Sequence, residues 1–349
     1  MRALILAPFD KCHILRLETL GRVIHVSWTE TKTLVSPDDL ASRLIAEEID
    51  VLVVEADFVF DETIKESPSL RFIGICRAST NSVDIDAATE AGILVVNTPA
   101  RNAQAVAEHA LGLLFALARK IPAAHQYTSQ GRWQNPTEPY LSMRGVELGG
   151  KTLGVIGLGA IGRHLAMMCN GIGMRVVAYD PFVSPVPDEV EMSDLNDLMS
   201  ESDFVSVHVP ITPDTERLID RKMLAKMRPT SYLVNCSDSA VIELESLVDV
   251  LRNHKIAGAA FDVFETHPVA PDNPLLSLDN VILSPHIGGA TDETVERHSR
   301  MMADDILRFM DGQRPVNLVN SEAWTEDGDY ADTGYRRGNQ HCSLLRPRL

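Results

Sequence analysis

Residues 149–180, GGKTLGVIGLGAIGRHLAMMCNGIGMRVVAYD, constrain this chain more than any other stretch. Residues 152–156 are a short apolar run of the kind that fills a strand buried on both faces. Gly157, Gly159 and Gly162 follow at G-x-G-x-x-G spacing, a helical pattern runs to about residue 170, and a second apolar strand at 175–179 ends on Asp180. The glycine spacing alone is a common turn. Strand, turn, helix, strand and terminal acid in that order define a dinucleotide-binding unit. Gly157 permits the tight turn, Gly159 removes the Cβ that would hold a pyrophosphate off the backbone, and Gly162 lets the helix lie close on the sheet. Ala160 and Ile161, in the first helical turn, offer backbone amides at the positive end of the helix dipole. Asp180 is placed to accept from a ribose 2′-hydroxyl and would repel a 2′-phosphate, which favours NAD over NADP.

The rest of the chain reads as the setting of that unit. Its 349 residues accommodate two domains with substantial cores. A formal net charge of -17 argues against nucleic-acid binding through bulk electrostatics. Cys12, Cys76, Cys169, Cys236 and Cys342 show no C-x-x-C spacing; three of them sit in or beside expected strands or helices as core thiols, which fits a reducing cytoplasm. The opening MRALILAPFDKCH reads as a first strand rather than a secretory leader, and the lack of a long apolar run predicts no membrane span.

Strand patterns at 2–6, 51–54, 71–76 and 93–96 alternate with helical ones, the helix at 36–48 opening on Ser36 as cap and Pro37 at its first position. Asn102 is the expected cap of a long helix at 103–120, apolar on most sides and so expected to be buried between domains or subunits. Residues 126–150 read as a connector. Beyond the glycine unit come a helix at 193–200 capped by Ser193, strands at 204–208, 232–235, 256–261 and 281–284, and helices at 220–226 and 243–253. An amphipathic helix at 292–311 and a returning strand at 315–318 follow. The expected fold is α/β with two Rossmann-like domains. A nucleotide-binding domain, 102–291, is inserted in a flavodoxin-like substrate domain built from 1–101 and 292–320. Residues 321–349, acidic and then basic (Arg336, Arg337, Arg346, Arg348), are expected to form a disordered tail.

Five motifs carry a family resemblance: VVNTPARNAQAVAEHALGL at 95–113, GKTLGVIGLGAIGRHLA at 150–166, VHVPITPDT at 207–215, AGAAFDVFETHP at 257–268 and SPHIGGAT at 284–291. Over roughly residues 1–318 the chain resembles the D-isomer-specific 2-hydroxyacid dehydrogenases. The resemblance implies a homodimer joined through its nucleotide domains and a small-molecule substrate. It implies NAD held by residues 157–162, Asp180, Pro210, Thr215, Cys236, Ser237, Asp262, His286 and Gly288, with Asp262 on the nicotinamide carboxamide. The loop of Arg77, Ala78, Ser79 and Thr80, together with Asn102, would face the substrate.

The family's chemistry uses a histidine as acid/base, a glutamate that orients it and an arginine that binds the substrate carboxylate. His286 matches the first; His267 stands in place of the glutamate and Asp238 in place of the arginine. An arginine and a carboxylate about 4 Å apart gain roughly 4 kcal/mol at an effective dielectric of about 20. Asp238 forfeits that gain and adds repulsion. Arg77 and Arg101 are candidate substitute cations, and Asp238 could lend its carboxylate to one histidine. Three readings follow: an NAD-dependent oxidoreductase acting on a 2-hydroxy or 2-oxo acid or a related atypical substrate; an NAD(H)-binding pseudoenzyme or sensor; and a metal site of Asp238, His267 and His286. The first, without a metal, is the expectation.

Overall fold

The computed structural model describes residues 1–325. The chain divides into two compact units, one made of Met1–Arg101 with the segment from Thr291 onward, the other of Asn102–Ala290. Each is built on its own parallel sheet with helices, which bears out the expected α/β class.

The first unit holds strands β1 (Arg2–Ile5), β2 (Arg22–His25), β3 (Val51–Val54), β4 (Phe72–Ile75) and β5 (Leu94–Asn97), ordered β2-β1-β3-β4-β5. All four pairings are parallel. β3 and β4 are buried at every position, as continuous apolar strands covered on both faces must be. Helix Pro37–Ala46 starts where Ser36 accepts from the Asp39 amide. Helix Asp292–Met310 brings Met302, Ala303, Ile306 and Phe309 into the core that contains Ala3, Val51 and Phe72. It lies so close to β4 that a Cβ on Gly74 would meet the Met302 thioether.

Several features of this unit depart from the sequence reading, among them helices Trp28–Thr31 and Asp61–Lys65. Residues 315–318 form no strand; Leu318 makes a single antiparallel bridge to Val96. Edge strand β2 and helix Lys11–Glu18 were not anticipated: β2 is only partly buried, and the helix buries just His13 and Leu17, too few apolar positions to leave a pattern. The start of the expected tail is ordered. Ser321–Ala323 is a 3-10 turn, and Ala323 and Trp324 pack on the first core. The remainder of the tail, with Cys342 and its four arginines, lies outside the described residues.

The second unit holds β6 (Thr152–Ile156), β7 (Arg175–Tyr179), β8 (Val190–Met192), β9 (Phe204–Val207), β10 (Tyr232–Asn235), β11 (Gly258–Phe261) and β12 (Val281–Leu283). They form a parallel sheet ordered β12-β11-β10-β9-β6-β7-β8. The order reverses between β6 and β9, the crevice where such sheets bind ligands beyond their carboxyl ends. Helix Ala103–Arg119 packs on helix Ala160–Gly171 within this unit, Ala107, Ala110 and Leu114 meeting Leu165, Ala166 and Cys169. Asn102 precedes it without a side-chain cap bond. Helix Leu195–Glu201 is capped by Asp194, not Ser193, because the aspartate accepts from both the Asn196 and Asp197 amides. Helix Ile121–Ser129 runs into the expected connector and helix Glu138–Ser142 lies within it. Among the described residues no helix is long and apolar enough to cross a membrane.

Candidate active site

The glycine turn follows β6 directly. Gly157 adopts φ +92°, and a Cβ there would meet the His208 backbone at 2.8 Å. A Cβ on Gly162 would overlap the Gly157 carbonyl, so helix Ala160–Gly171 sits on the strand only because that position is bare. A Cβ on Gly159 would meet nothing within 4 Å. Gly159 is the helix N-cap and supplies no side-chain bond, so open space lies where the first-turn amides of Ala160 and Ile161 begin. Asp180 Oδ2 accepts from the Leu158 amide (2.8 Å) and Oδ1 from the Phe182 amide (2.9 Å), which fixes the carboxylate beside the turn with lone pairs to spare. Bare glycine, uncapped amides and a fixed acid fit a dinucleotide.

Two loops continue the carboxyl edge of this sheet. Thr215 donates to the Pro210 carbonyl (2.6 Å) and accepts from the Thr212 amide (2.7 Å), closing the 210–215 turn. Buried Asn235 at the end of β10 accepts from the Ser237 amide and hydroxyl, each at 3.0 Å, and donates to the Asp238 carbonyl at 2.8 Å. It shapes the whole 235–238 loop. Burial, and next the Asp262 charge, push the Cys236 thiol up to about 12, so this sulfur is an inert packing group.

Asp262 follows β11 and is 2% exposed. Its Oδ1 accepts from the Ser284 hydroxyl (2.6 Å) and the Ile287 amide (2.9 Å), and its Oδ2 from the Gly288 amide (2.7 Å). Burial alone would raise its pKa; hydrogen bonds from His109, Ser284, Ile287 and Gly288 outweigh that and bring it down to about 2. A Cβ on Gly288 would meet this carboxylate at 2.9 Å. The bonds straddle His286, whose φ of +56° is left-handed backbone that non-glycine residues adopt at a cost. His286 Nδ1 lies 2.9 Å from His267 Nε2, the two exposed rings 4.8 Å apart and tilted by 46°. A single proton bridges those nitrogens.

Asp238 does not complete that pair. Its Oδ1 accepts from the Ala240 amide (2.9 Å) and caps the 3-10 turn Ser239–Val241. Among the described residues it bonds to neither histidine, which corrects its expected role as their carboxylate partner. Among the same residues no three His, Cys, Asp or Glu side chains are disposed to hold a metal ion, so the set of Asp238, His267 and His286 does not converge on one.

Arg101 is also corrected as a substitute cation. Its guanidinium is committed to Glu55 at 2.6 Å and to His298 Nδ1 at 2.7 Å, and Trp28 donates to the same Glu55 at 3.2 Å. Arg77 differs. It is exposed, and among the described residues its side chain makes no hydrogen bond or ion pair. Its loop is held through its backbone carbonyls: the Thr98 amide donates to the Arg77 carbonyl (3.0 Å), the Asn97 side-chain amide to the Ala78 carbonyl (2.8 Å) and the Val83 amide to the Thr80 carbonyl (3.0 Å). Ser79 Oγ accepts from the Asn81 amide at 3.4 Å. The Asn102 side chain lies against Gly289, where a Cβ would meet its amide nitrogen at 2.9 Å.

Residues 111–288 match the NAD binding domain of the D-isomer specific 2-hydroxyacid dehydrogenases. The glyoxylate reductase of Korarchaeum cryptofilum is 39% identical over 264 residues, 75% of this chain and 79% of its own length. The D-3-phosphoglycerate dehydrogenase of Methanocaldococcus jannaschii is 36% identical over 92% of this chain, which spans only 59% of that enzyme. The apo structure of D-lactate dehydrogenase from Escherichia coli superposes with a TM-score of 0.76 at 27% identity, covering 91% of this chain and all of that one. The chain therefore belongs to the D-isomer specific 2-hydroxyacid dehydrogenases, a family of oxidoreductases, and its second unit carries their NAD-binding domain.

Proposed function

We propose that this protein is an NAD-dependent oxidoreductase that interconverts a hydroxyl and a carbonyl on a small 2-hydroxy or 2-oxo acid, or a close analogue, with His286 as the acid/base. The observation that carries this reading is the His286–His267 hydrogen bond. NAD, when bound, supplies or accepts the hydride at its nicotinamide ring. The chain's own residues handle the proton and the charge.

With the Nδ1–H of His286 donating to His267 Nε2, the nitrogen left to exchange a proton with substrate oxygen is Nε2. When His286 carries both protons, the bond to neutral His267 becomes charge-assisted. A second positive charge on His267 would set N–H against N–H and break it. The pair thus holds one positive charge in its acid form. An imidazole stabilises that charge less than a carboxylate would.

Asp238 opposes an anion near its loop. Arg77 is the cation proposed to take the substrate carboxylate, with the amides and hydroxyls of residues 78–80 and the Asn102 amide as further donors. Residues 1–101 with 292–320 then act as the substrate domain and 102–291 as the NAD-binding domain. Exposed Phe115, Ile121, Tyr140 and Leu141 in the second unit support a homodimer formed through that unit. Light scattering of the purified protein would read twice the 38.4 kDa chain mass.

The locally capped Asp238 favours a second reading, an NAD(H)-binding sensor without turnover. NADH oxidation against a panel of glyoxylate, pyruvate, hydroxypyruvate and longer 2-oxo acids separates the two. Turnover of any member supports the enzyme. NADH binding with no turnover across the panel supports the sensor.

A further inference from the structure

We infer that His109 is a positioning residue for His286, acting through Ser284 and Asp262; the inference rests on the acid/base role proposed for His286. His109 Nε2 lies 3.0 Å from Ser284 Oγ and 3.5 Å from Asp262 Oδ1. Ser284 Oγ is only 2.6 Å from Asp262 Oδ1. Two oxygens that close need a proton between them, and an ionised carboxylate has none to give. The Ser284 hydroxyl therefore spends its single hydrogen on Asp262 and can only accept from His109. That assigns the proton of His109 to Nε2.

A directed chain results. His109 Nε2–H donates to Ser284 Oγ, whose O–H donates to Asp262 Oδ1; the Ile287 and Gly288 amides converge on the same carboxylate. Its members lie two residues before His286 and one and two residues after it. The His286 amide also donates to the Ser284 carbonyl at 3.0 Å. The left-handed His286 backbone is thus clamped on both sides by one carboxylate, and His109 anchors that clamp to helix Ala103–Arg119. The His109 ring also reaches the place a Gly288 Cβ would occupy, 3.5 Å from its Cδ2. The chain works with His109 neutral or protonated, since both forms can keep a proton on Nε2.

Removing the donor loosens Ser284 and with it the aim of the His286 ring, while the glycine turn stays untouched. The test compares His109→Leu, His109→Gln and Ser284→Ala with the wild type. Leucine deletes the donor; the glutamine amide restores an N–H at similar reach. His109→Leu and Ser284→Ala are each expected to lower kcat about tenfold, the effect of one hydrogen bond to an aligned group, with KM for NADH changed less than about twofold. His109→Gln is expected within about threefold of wild type. The double variant should be no worse than either single one, because both break the same chain. A second readout needs no turnover: ring-nitrogen NMR of His286 should show the bridging Nδ1 proton shifted or exchange-broadened in His109→Leu and restored in His109→Gln. A His109→Leu protein that melts earlier but keeps wild-type kcat and an unchanged His286 resonance overturns the inference. So does a glutamine variant as impaired as the leucine one. If the wild type itself turns over no substrate, the acid/base proposal fails, and the NMR comparison still decides whether His109 aims the ring.

Discussion

Two turns of the NAD-binding unit each rest on an aspartate, and they solve the same problem differently. At the glycine turn, Asp180 receives the Leu158 and Phe182 amides, and the left-handed position is given to Gly157, which adopts it without strain. At the turn after β12, Asp262 receives the Ile287 and Gly288 amides, but the left-handed position is His286. Glycine would be easier there, yet glycine has no imidazole. The difference teaches where each turn's purpose lies. The first needs no side chain at its left-handed position, so a bare glycine serves there. The second must hold a side chain in an awkward pose, and a buried carboxylate with a serine and a histidine behind it supplies the holding force.

If the turns are separate devices, damage to one should spare the other. The largest effect is expected from His286→Ala: kcat should fall about a thousandfold, the usual contribution of a general acid/base, while NADH affinity stays within about twofold. Steady-state kinetics beside calorimetric titration with NADH checks this; a matching loss of NADH affinity would merge the two devices into one. Next, Asp238→Arg combined with His267→Glu should raise kcat/KM for simple 2-oxo acids about a hundredfold, since it replaces a repulsive charge by an attractive one and gives His286 a carboxylate partner. A double variant that folds and binds NADH but gains nothing would show that residues 238 and 267 do not limit the chemistry.

A smaller effect separates the interior of the NAD-binding unit from that of the other. Burial pushes His208 down to about 4. For His298 burial, opposed by its bond to the Pro8 carbonyl and aided by Arg101, also gives about 4. Both are neutral in the fold and charge more readily in the unfolded chain, near 6.5. The unfolded state therefore binds more protons between those values. Stability is complete above about pH 6.5 and falls as pH drops towards 4, by roughly 3 kcal/mol for each histidine. Urea melts from pH 7 to 4 should show this slope. His208→Asn should remove about half of it, in the transition of the NAD-binding unit; an unchanged slope would mean that His208 is protonated in the fold. Its Nδ1, which has no partner among the described residues, argues against that.

The sequence was most legible where structure is local. The glycine turn, its helix and its acid occupy one continuous stretch, and the parallel strands are short apolar runs because both their faces are covered. It was least legible where function depends on contacts between distant segments. His109 meets Ser284 across 175 residues, and nothing in AEHALGL distinguishes a ring that anchors a loop from a ring in a core. Asn235 organises the 235–238 loop through its side-chain amide, yet in sequence it is only the last residue of a strand. Arg101 looked available for a substrate because its partner Glu55 lies 46 residues away. Asp238 was legible as a change of charge but not as a cap, since only the fold turns it onto the Ala240 amide. Strand β2 lies at the sheet edge and is only partly buried, so it needs no unbroken apolar run.

The central claim is that the bare glycine turn holds NAD beside an independent proton-handling loop. Calorimetric titration of the purified wild-type protein with NADH and with NADPH tests it most directly. The account predicts saturable binding of NADH at one site per chain and at least about tenfold weaker binding of NADPH, because Asp180 would face its 2′-phosphate. No heat from either cofactor, or a preference for NADPH, would contradict it.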